Sequence, residues 1–304
     1  MAYDPSLDNA PELLARAAAG AARRPDLTQG GGGNVSVKAG AERMLIKATG
    51  SRLRDLAPRS GWTLVNYANI RRRVASGPGG EDEFSDYICA QALTVKGVAP
   101  ARPSIETGFH ALLNTVVVHT HSVYANVLNM SAEGHALGRE LFPGYEFVAY
   151  RAPGPQLCTA IAGRAARSEP QVFFLANHGL VTTHAGVEGA LALSLKVNET
   201  IRRGLSLPPY PAAWAGEGLS PYNAAALARR GRGFMLNNVL SPDQALYCGP
   251  RTLDGGCGPD ENEVLTALFY ILDCIDLLRL TPKFLTPAEA EHLSSMKSGR
   301  YGRG

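Results

Sequence analysis

The sequence predicts an α/β fold. Short apolar, β-branched runs alternate along the chain with segments of helical period, and polar or glycine-rich turns separate them. Of the 304 residues, 45 % are hydrophobic and 19 % charged, a balance suited to burying a core. A chain of this length holds one large α/β domain, or one of about 210 residues with an appendage. No run approaches the roughly 18 uninterrupted apolar residues of a membrane span. Residues 1–5 lack the basic start and apolar stretch of a secretory signal. The net charge of +3 is small and the basic residues are scattered, which argues against a nucleic-acid partner. Cys89, Cys158, Cys248, Cys257 and Cys274 are odd in number and form no Cys-x-x-Cys. They read as reduced thiols of a cytoplasmic protein.

Asn9-Ala10-Pro11-Glu12 caps a helix through Leu13, Leu14 and Ala17 to about Gly20. Four consecutive glycines at 30–33 precede Asn34 and a strand-like Val35-Ser36-Val37. Such a run lets backbone N–H groups approach an anion, although a flexible turn is the commoner use of polyglycine. The spacing fits neither a Walker loop nor a dinucleotide fingerprint. The strand Met44-Leu45-Ile46-Lys47 ends in a second small-residue loop, Ala48-Thr49-Gly50-Ser51. The two loops on one sheet edge would form one pocket, to which Lys47 adds a charge unless it is merely solvated. A loop at 76–83 separates the segment 62–67 from a helix at about 84–93. Pro103 and Ser104 read as the entry to a short helix through Phe109, Leu112 and Leu113.

That helix leads into Val116-Val117-Val118-His119-Thr120-His121. Successive strand side chains alternate faces, so His119 and His121 point the same way. A His-x-His pair is also an ordinary strand ending, but a third imidazole would make it a divalent-ion site with open positions. His178, after the apolar run 172–176 and just before Gly179, is the best candidate. His184 is an alternative ligand or a polar turn residue. Glu106 is placed to come near the ion, or else serves as a capping carboxylate. Further on, 123–128 and 157–166 read as helices, 145–150 as a strand, 180–186 as hairpin-like, and 187–201 as a long helix.

Thr28-Gln29-Gly30 with Gly33-Asn34-Val35-Ser36-Val37, Thr49-Gly50, Ser104 with Glu106, Val118-His119-Thr120-His121 and Asn177-His178-Gly179 together resemble the class II aldolase/adducin family, typified by L-fuculose-1-phosphate and L-rhamnulose-1-phosphate aldolases. The likeness runs in order across about residues 10–205. It implies a three-layer α/β/α domain with a mixed, largely antiparallel central sheet, commonly a homotetramer with sites at subunit interfaces. It implies that His119, His121 and His178 are metal ligands, most simply of zinc, with manganese, iron or cobalt also suited to three imidazoles. Glu106 resembles the acid/base, and Gly33, Asn34, Thr49, Gly50 and Ser104 resemble the groups that bind the substrate phosphate. Ile105 stands where the fuculose-phosphate enzymes have a second serine. The segment from Glu106 to His119 is shorter than theirs, and Lys47-Ala48 replaces their approach to the Thr-Gly pair.

The expected chemistry is retro-aldol cleavage of a small sugar phosphate or related hydroxy ketone, through an enediolate held by the ion, with Glu106 exchanging a proton at the enediolate carbon. The same scaffold would serve a decarboxylase, an epimerase or a dehydratase. An adducin-like interaction protein is the non-enzymatic alternative, against which the presence of all three histidines and Glu106 counts. The expected division is a catalytic domain over 1–205 and an extension over 206–304 that packs on the core or on a neighbouring subunit. In the extension, Pro208-Pro209-Tyr210-Pro211 reads as a linker, Ser220-Pro221 as a helix start, 245–247 as a short strand and 263–280 as an amphipathic helix. The tail 297–304 is expected to be mobile.

Overall fold

A computed structural model describes residues 9–166 and 169–300. Helix α1 (Ala10–Ala22) leads through the glycine loop into strands β1 (Asn34–Ala39), β2 (Arg43–Lys47) and β3 (Trp62–Asn66). Helices α2 (Tyr67–Ala75) and α3 (Glu81–Ala90) precede the short strand β4 (Ala92–Leu93). Then come α4 (Thr107–Leu112), β5 (Val116–Thr120), α5 (Val123–Asn129), α6 (Gly134–Leu141), β6 (Glu146–Val148) and α7 (Pro155–Ala162). The hairpin β7 (Gln171–Leu175) and β8 (Gly179–His184) is followed by the long helix α8 (Val187–Gly204).

The strands form one mixed eight-stranded sheet in the order β4-β3-β2-β1-β5-β8-β7-β6. Every neighbouring pair is antiparallel except β6 with β7. The period of two in β5 decides what each face carries. Val116 and Val118 join Leu14 and Ala17 of α1 and Val187 and Ala190 of α8 in one cluster. Val117 points the other way, into a cluster with Ile70, Phe109, Leu157 and Ile161 from α2, α4 and α7. Helices on both faces give the expected three layers. β5 lies inside the sheet, between β1 and β8, so its C-terminal end is flanked by backbone on both sides.

The C-terminal extension is helical: α9 (Pro221–Arg230), α10 (Arg232–Asn237), α11 (Pro242–Tyr247), α12 (Pro250–Leu253), α13 (Pro259–Leu277) and α14 (Pro287–Arg300). Helix α13 buries Val264, Leu265, Leu268, Phe269, Ile271, Leu272 and Ile275, which share a cluster with Val123, Val127 and Leu128 of α5 and with Val197 and Ile201 of α8. At about 1.5–3 kcal/mol for each large apolar side chain removed from water, this seam fixes the extension on the sheet domain.

Several expectations are corrected. Residues 245–247 end helix α11 instead of forming a strand, because Ser241 accepts from Gln244 N and Pro242 sets the first turn. The stretch expected as a loop at 76–83 already belongs to α3 from Glu81, whose acidic first turn suits the positive end of a helix. That helix stops at Ala90, since Ala92 and Leu93 pair with β3. Helix α2 was not expected; Asn66 caps it at 3.0 Å from Asn69 N, and Tyr67, Ile70 and Val74 are its buried face. Helix α6 was not expected either. Helix α7 ends at Ala162 and β6 is shorter than expected. Two readings, the leader-free start at 1–5 and residues 301–304 of the tail, lie outside the described residues. Among the described residues, no helix is long and apolar enough to cross a membrane.

Candidate metal centre and active site

The buried histidines gather at the C-terminal end of β5. His119 points to the Val117 face and meets Phe109 edge-on, with ring centroids 6.0 Å apart. β5 ends at Thr120 and Ser122 caps α5, accepting from Ala125 N at 3.2 Å, which leaves His121 in the turn between them. His178 sits in the β7–β8 turn, where Asn177 takes the left-handed φ of 54°. The ligand atoms of the three rings all lie within 4.8 Å of one another. His119 Nε2 is 3.2 Å from His121 Nε2, and Glu106 Oε1 is 3.4 Å from His119 Nε2 and 3.3 Å from His178 Nε2.

These separations fit a divalent ion. Donors at 2.0–2.1 Å from a tetrahedral centre are spaced roughly 3.3–3.4 Å apart. The ring orientations agree with this. His119 Nδ1 is 3.1 Å from Leu180 O and His121 Nδ1 faces the Asp243 carboxylate, so both Nδ1 atoms are N–H donors to oxygen acceptors. In the neutral rings both Nε2 atoms then carry lone pairs directed at each other, the arrangement in which the two imidazoles can share a cation.

Burial drives His119 well below the ordinary imidazole value against the pull of the Glu106 carboxylate, toward the neutral form that a ligand must take. Burial alone would raise the Glu106 carboxyl, but the neighbouring His119 and His178 rings outweigh it and hold the group well below the usual carboxylate range. At His121 burial acts downward, and the Asp243 carboxylate overcomes it and raises the ring. His110, one turn after Glu106, is pushed down to about 3 by burial and bonds Ser36 Oγ through Nδ1 at 2.8 Å.

The residues singled out for an anion lie around Glu106. Asn34 Nδ2 donates to Glu106 Oε2 at 3.1 Å. Ser104 Oγ accepts from Glu106 N at 3.2 Å, and Thr49 Oγ1 donates to Pro103 O at 3.0 Å, so the 48–50 and 103–104 segments are stitched together. Gly33 and Gly50 adopt left-handed φ values of 78° and 80°. Lys47 is 6 % exposed and its Nζ donates to Gly31 O at 3.2 Å and Ser51 O at 2.8 Å, joining the two small-residue loops that the sequence suggested would meet. Burial pushes its ammonium down to about 8 against the pull of Glu106 and Asp243. Glu106 occupies the N-cap position of α4, as its alternative reading expected, but makes no side-chain capping bond there. His184 pairs with Val116 at the far end of β5 and accepts from Gly186 N, outside the cluster.

Sequence reasoning gave the extension chiefly a packing role and singled out none of its residues that reach this site. Asp243 of α11 meets His121, Tyr247 Oη accepts from Gly31 N at 3.1 Å, and Glu263 Oε2 accepts from Gly30 N at 2.7 Å. The capping pattern Ser241-Pro242-Asp243-Gln244 was the available signal, since it marks a helix start that carries Asp243 in its first turn.

Among solved structures, the N-terminal class II aldolase domain of a conserved protein from Thermoplasma acidophilum is 19 % identical, with a TM-score of 0.56 over 67 % of this chain and 96 % of that one. An L-fuculose 1-phosphate aldolase from Glaciozyma antarctica is 13 % identical, with a TM-score of 0.44 over 91 % of this chain and 94 % of that one. An L-fuculose-1-phosphate aldolase from Thermus thermophilus is 16 % identical, with a TM-score of 0.41 over 66 % and 95 %. No curated protein matches the sequence. The Thermoplasma likeness establishes a class II aldolase fold. Residues 12–203 match the model of the Class II Aldolase and Adducin N-terminal domain, and the chain belongs to that family.

Proposed function

We propose that the protein is a metal-dependent aldehyde-lyase that cleaves a small sugar phosphate or related hydroxy ketone. The observation that carries this reading is the convergence of His119, His121 and His178 with Glu106 Oε1 at the end of β5. The three imidazoles would hold a divalent ion, zinc by preference. When bound, that ion would polarise a substrate carbonyl as a Lewis acid and offset negative charge during C–C cleavage. Glu106 exchanges the proton on the carbon left electron-rich by cleavage. Its Oε2 is held by Asn34, which keeps Oε1 directed at the histidines.

Gly33, Asn34, Thr49, Gly50 and Ser104, with the Lys47 ammonium between the loops, bind the substrate's phosphate or other acidic group. Residues 1–205 form the catalytic domain and 206–304 the extension, in a cytoplasmic homotetramer of carbohydrate metabolism. An adducin-like protein without chemistry has no need for a buried, ionised carboxylate among three inward-facing imidazole nitrogens. Metal analysis of the purified chain, with product analysis on ketose 1-phosphates and sugar-acid phosphates, tests the reading. Glu106→Gln is expected to keep its metal and lose 10²–10⁴-fold in turnover. Unimpaired turnover, or a purified chain that takes up no divalent ion, overturns it. Loss of carbon dioxide without aldehyde release would assign the site to decarboxylation instead.

A further inference from the structure

We infer that the C-terminal extension is part of the metal centre, with Asp243 as the positioning residue for His121. The inference rests on the metal reading above and names a component outside residues 12–203. His119 and His121 each have an acceptor fixed on Nδ1. For His119 it is a backbone carbonyl of the sheet, Leu180 O, at 3.1 Å. For His121 it is the Asp243 carboxylate, 122 residues away in sequence. A charged acceptor holds the Nδ1–H tautomer more strongly than a carbonyl and makes the opposite Nε2 a better donor to a cation.

His121 needs such a partner more than His119 does. It lies past the end of β5, in the turn before α5, so the β ladder does not fix its backbone as it fixes that of His119. His178 Nδ1 is buried without a partner among the described residues, and its position depends on the turn that bears it. The extension holds that turn as well: Asn177 Nδ2 donates to Leu240 O at 2.9 Å and to Lys283 O at 2.6 Å. Two of the three histidines are thus steadied from beyond residue 239. The third contact, from Tyr247 and Glu263 to the Gly31 and Gly30 amides, holds the loop that packs over His121. A Cβ on Gly32 would stand 2.6 Å from His121 Nδ1, which shows how close that loop comes.

The test compares the full-length chain with Asp243→Asn, Asp243→Ala and Asp243→Glu. Zinc and cobalt affinities are read by chelator competition, the cobalt form by its visible absorption, and the metal-free His121 tautomer by ¹⁵N shifts, with circular dichroism to confirm the fold. The expected result is a 10–100-fold loss of affinity in Asp243→Ala, a smaller loss in Asp243→Asn, recovery in Asp243→Glu and a changed cobalt spectrum. The His121 tautomer should move away from Nδ1–H in Asp243→Ala even without metal. Parent-like affinity, spectrum and tautomer in a folded Asp243→Ala overturn the inference while leaving the metal reading intact. A parent chain that binds neither ion overturns the metal reading and with it the extension's part in a metal centre. Should Asp243→Ala fail to fold, the isosteric Asp243→Asn decides by the same measurements.

Discussion

Asn34 and His119 are register partners across β1 and β5, and the Asn34 side chain bonds the second oxygen of Glu106 at 3.1 Å. One strand pairing therefore sets both the ligand strand and the carboxylate beside it. Asn34→Asp would put a like charge against Glu106 and raise its pKa. Because the carboxylate form removes the proton, the acid limb of the kcat/KM profile should shift upward by about one unit or more, with metal content unchanged. An unmoved profile would detach Asn34 from Glu106.

Lys47 carries opposite consequences for stability and binding. Its folded value of about 8 lies below the ordinary lysine value of 10.5. Between those values the unfolded chain binds more protons, so this group lets stability rise with pH across the window from about 8 to 10.5. Lys47→Met should raise Tm at pH 7 and remove that rise, while increasing KM for an anionic substrate tenfold or more. Affinity of the parent enzyme for that substrate should fall as pH passes 8. A KM unaffected by Lys47→Met would place the anion elsewhere.

Gly179 opens β8 against the end of β5. A Cβ there would press on Thr120 O and come within 2.9 Å of His119 Cε1. Gly179→Ala should displace the His119 ring and cut metal per chain well below that of the parent, with circular dichroism little changed. Full metal content would show that the ring tolerates the methyl group.

Removing the ion should be visible in stability. A ligand at a hundred times its Kd adds about 2.7 kcal/mol to the folded state. For a chain of this size, with an unfolding entropy of about 0.6 kcal/mol/K, chelation should lower Tm by roughly 4 °C. His178→Ala should start near the chelated value and respond little to added chelator; an unchanged Tm in both cases would argue against a bound ion.

What the sequence revealed and what it concealed follow from range. The His119–His121 pair is legible because two residues on one strand obey a period of two, and Gly179 marks the turn after His178. The glycine loop before Asn34 and the Thr49-Gly50 loop suggested an anion pocket, but the grouping of Asn34, Thr49 and Ser104 came from family likeness, since their contacts to Glu106, Pro103 O and Glu106 N depend on loops meeting in space. Asp243 had no such route. Its partner is remote, and its helix, only six residues long, offered three apolar residues that look equally like a strand. Helix α2 was obscured for a related reason: Arg71, Arg72 and Arg73 hid a face of only three buried residues.

The span between His121 and Asp243 also has a bearing on biosynthesis. A nascent chain releases β5, and later the β7–β8 turn, while the codon for the acid that will steady the first of them is still untranslated. Three imidazoles are ready before their brace, so tight ion capture awaits the docking of the last hundred residues. Fragments cut near residue 205 should then be poor scavengers of metal even where their sheet has formed.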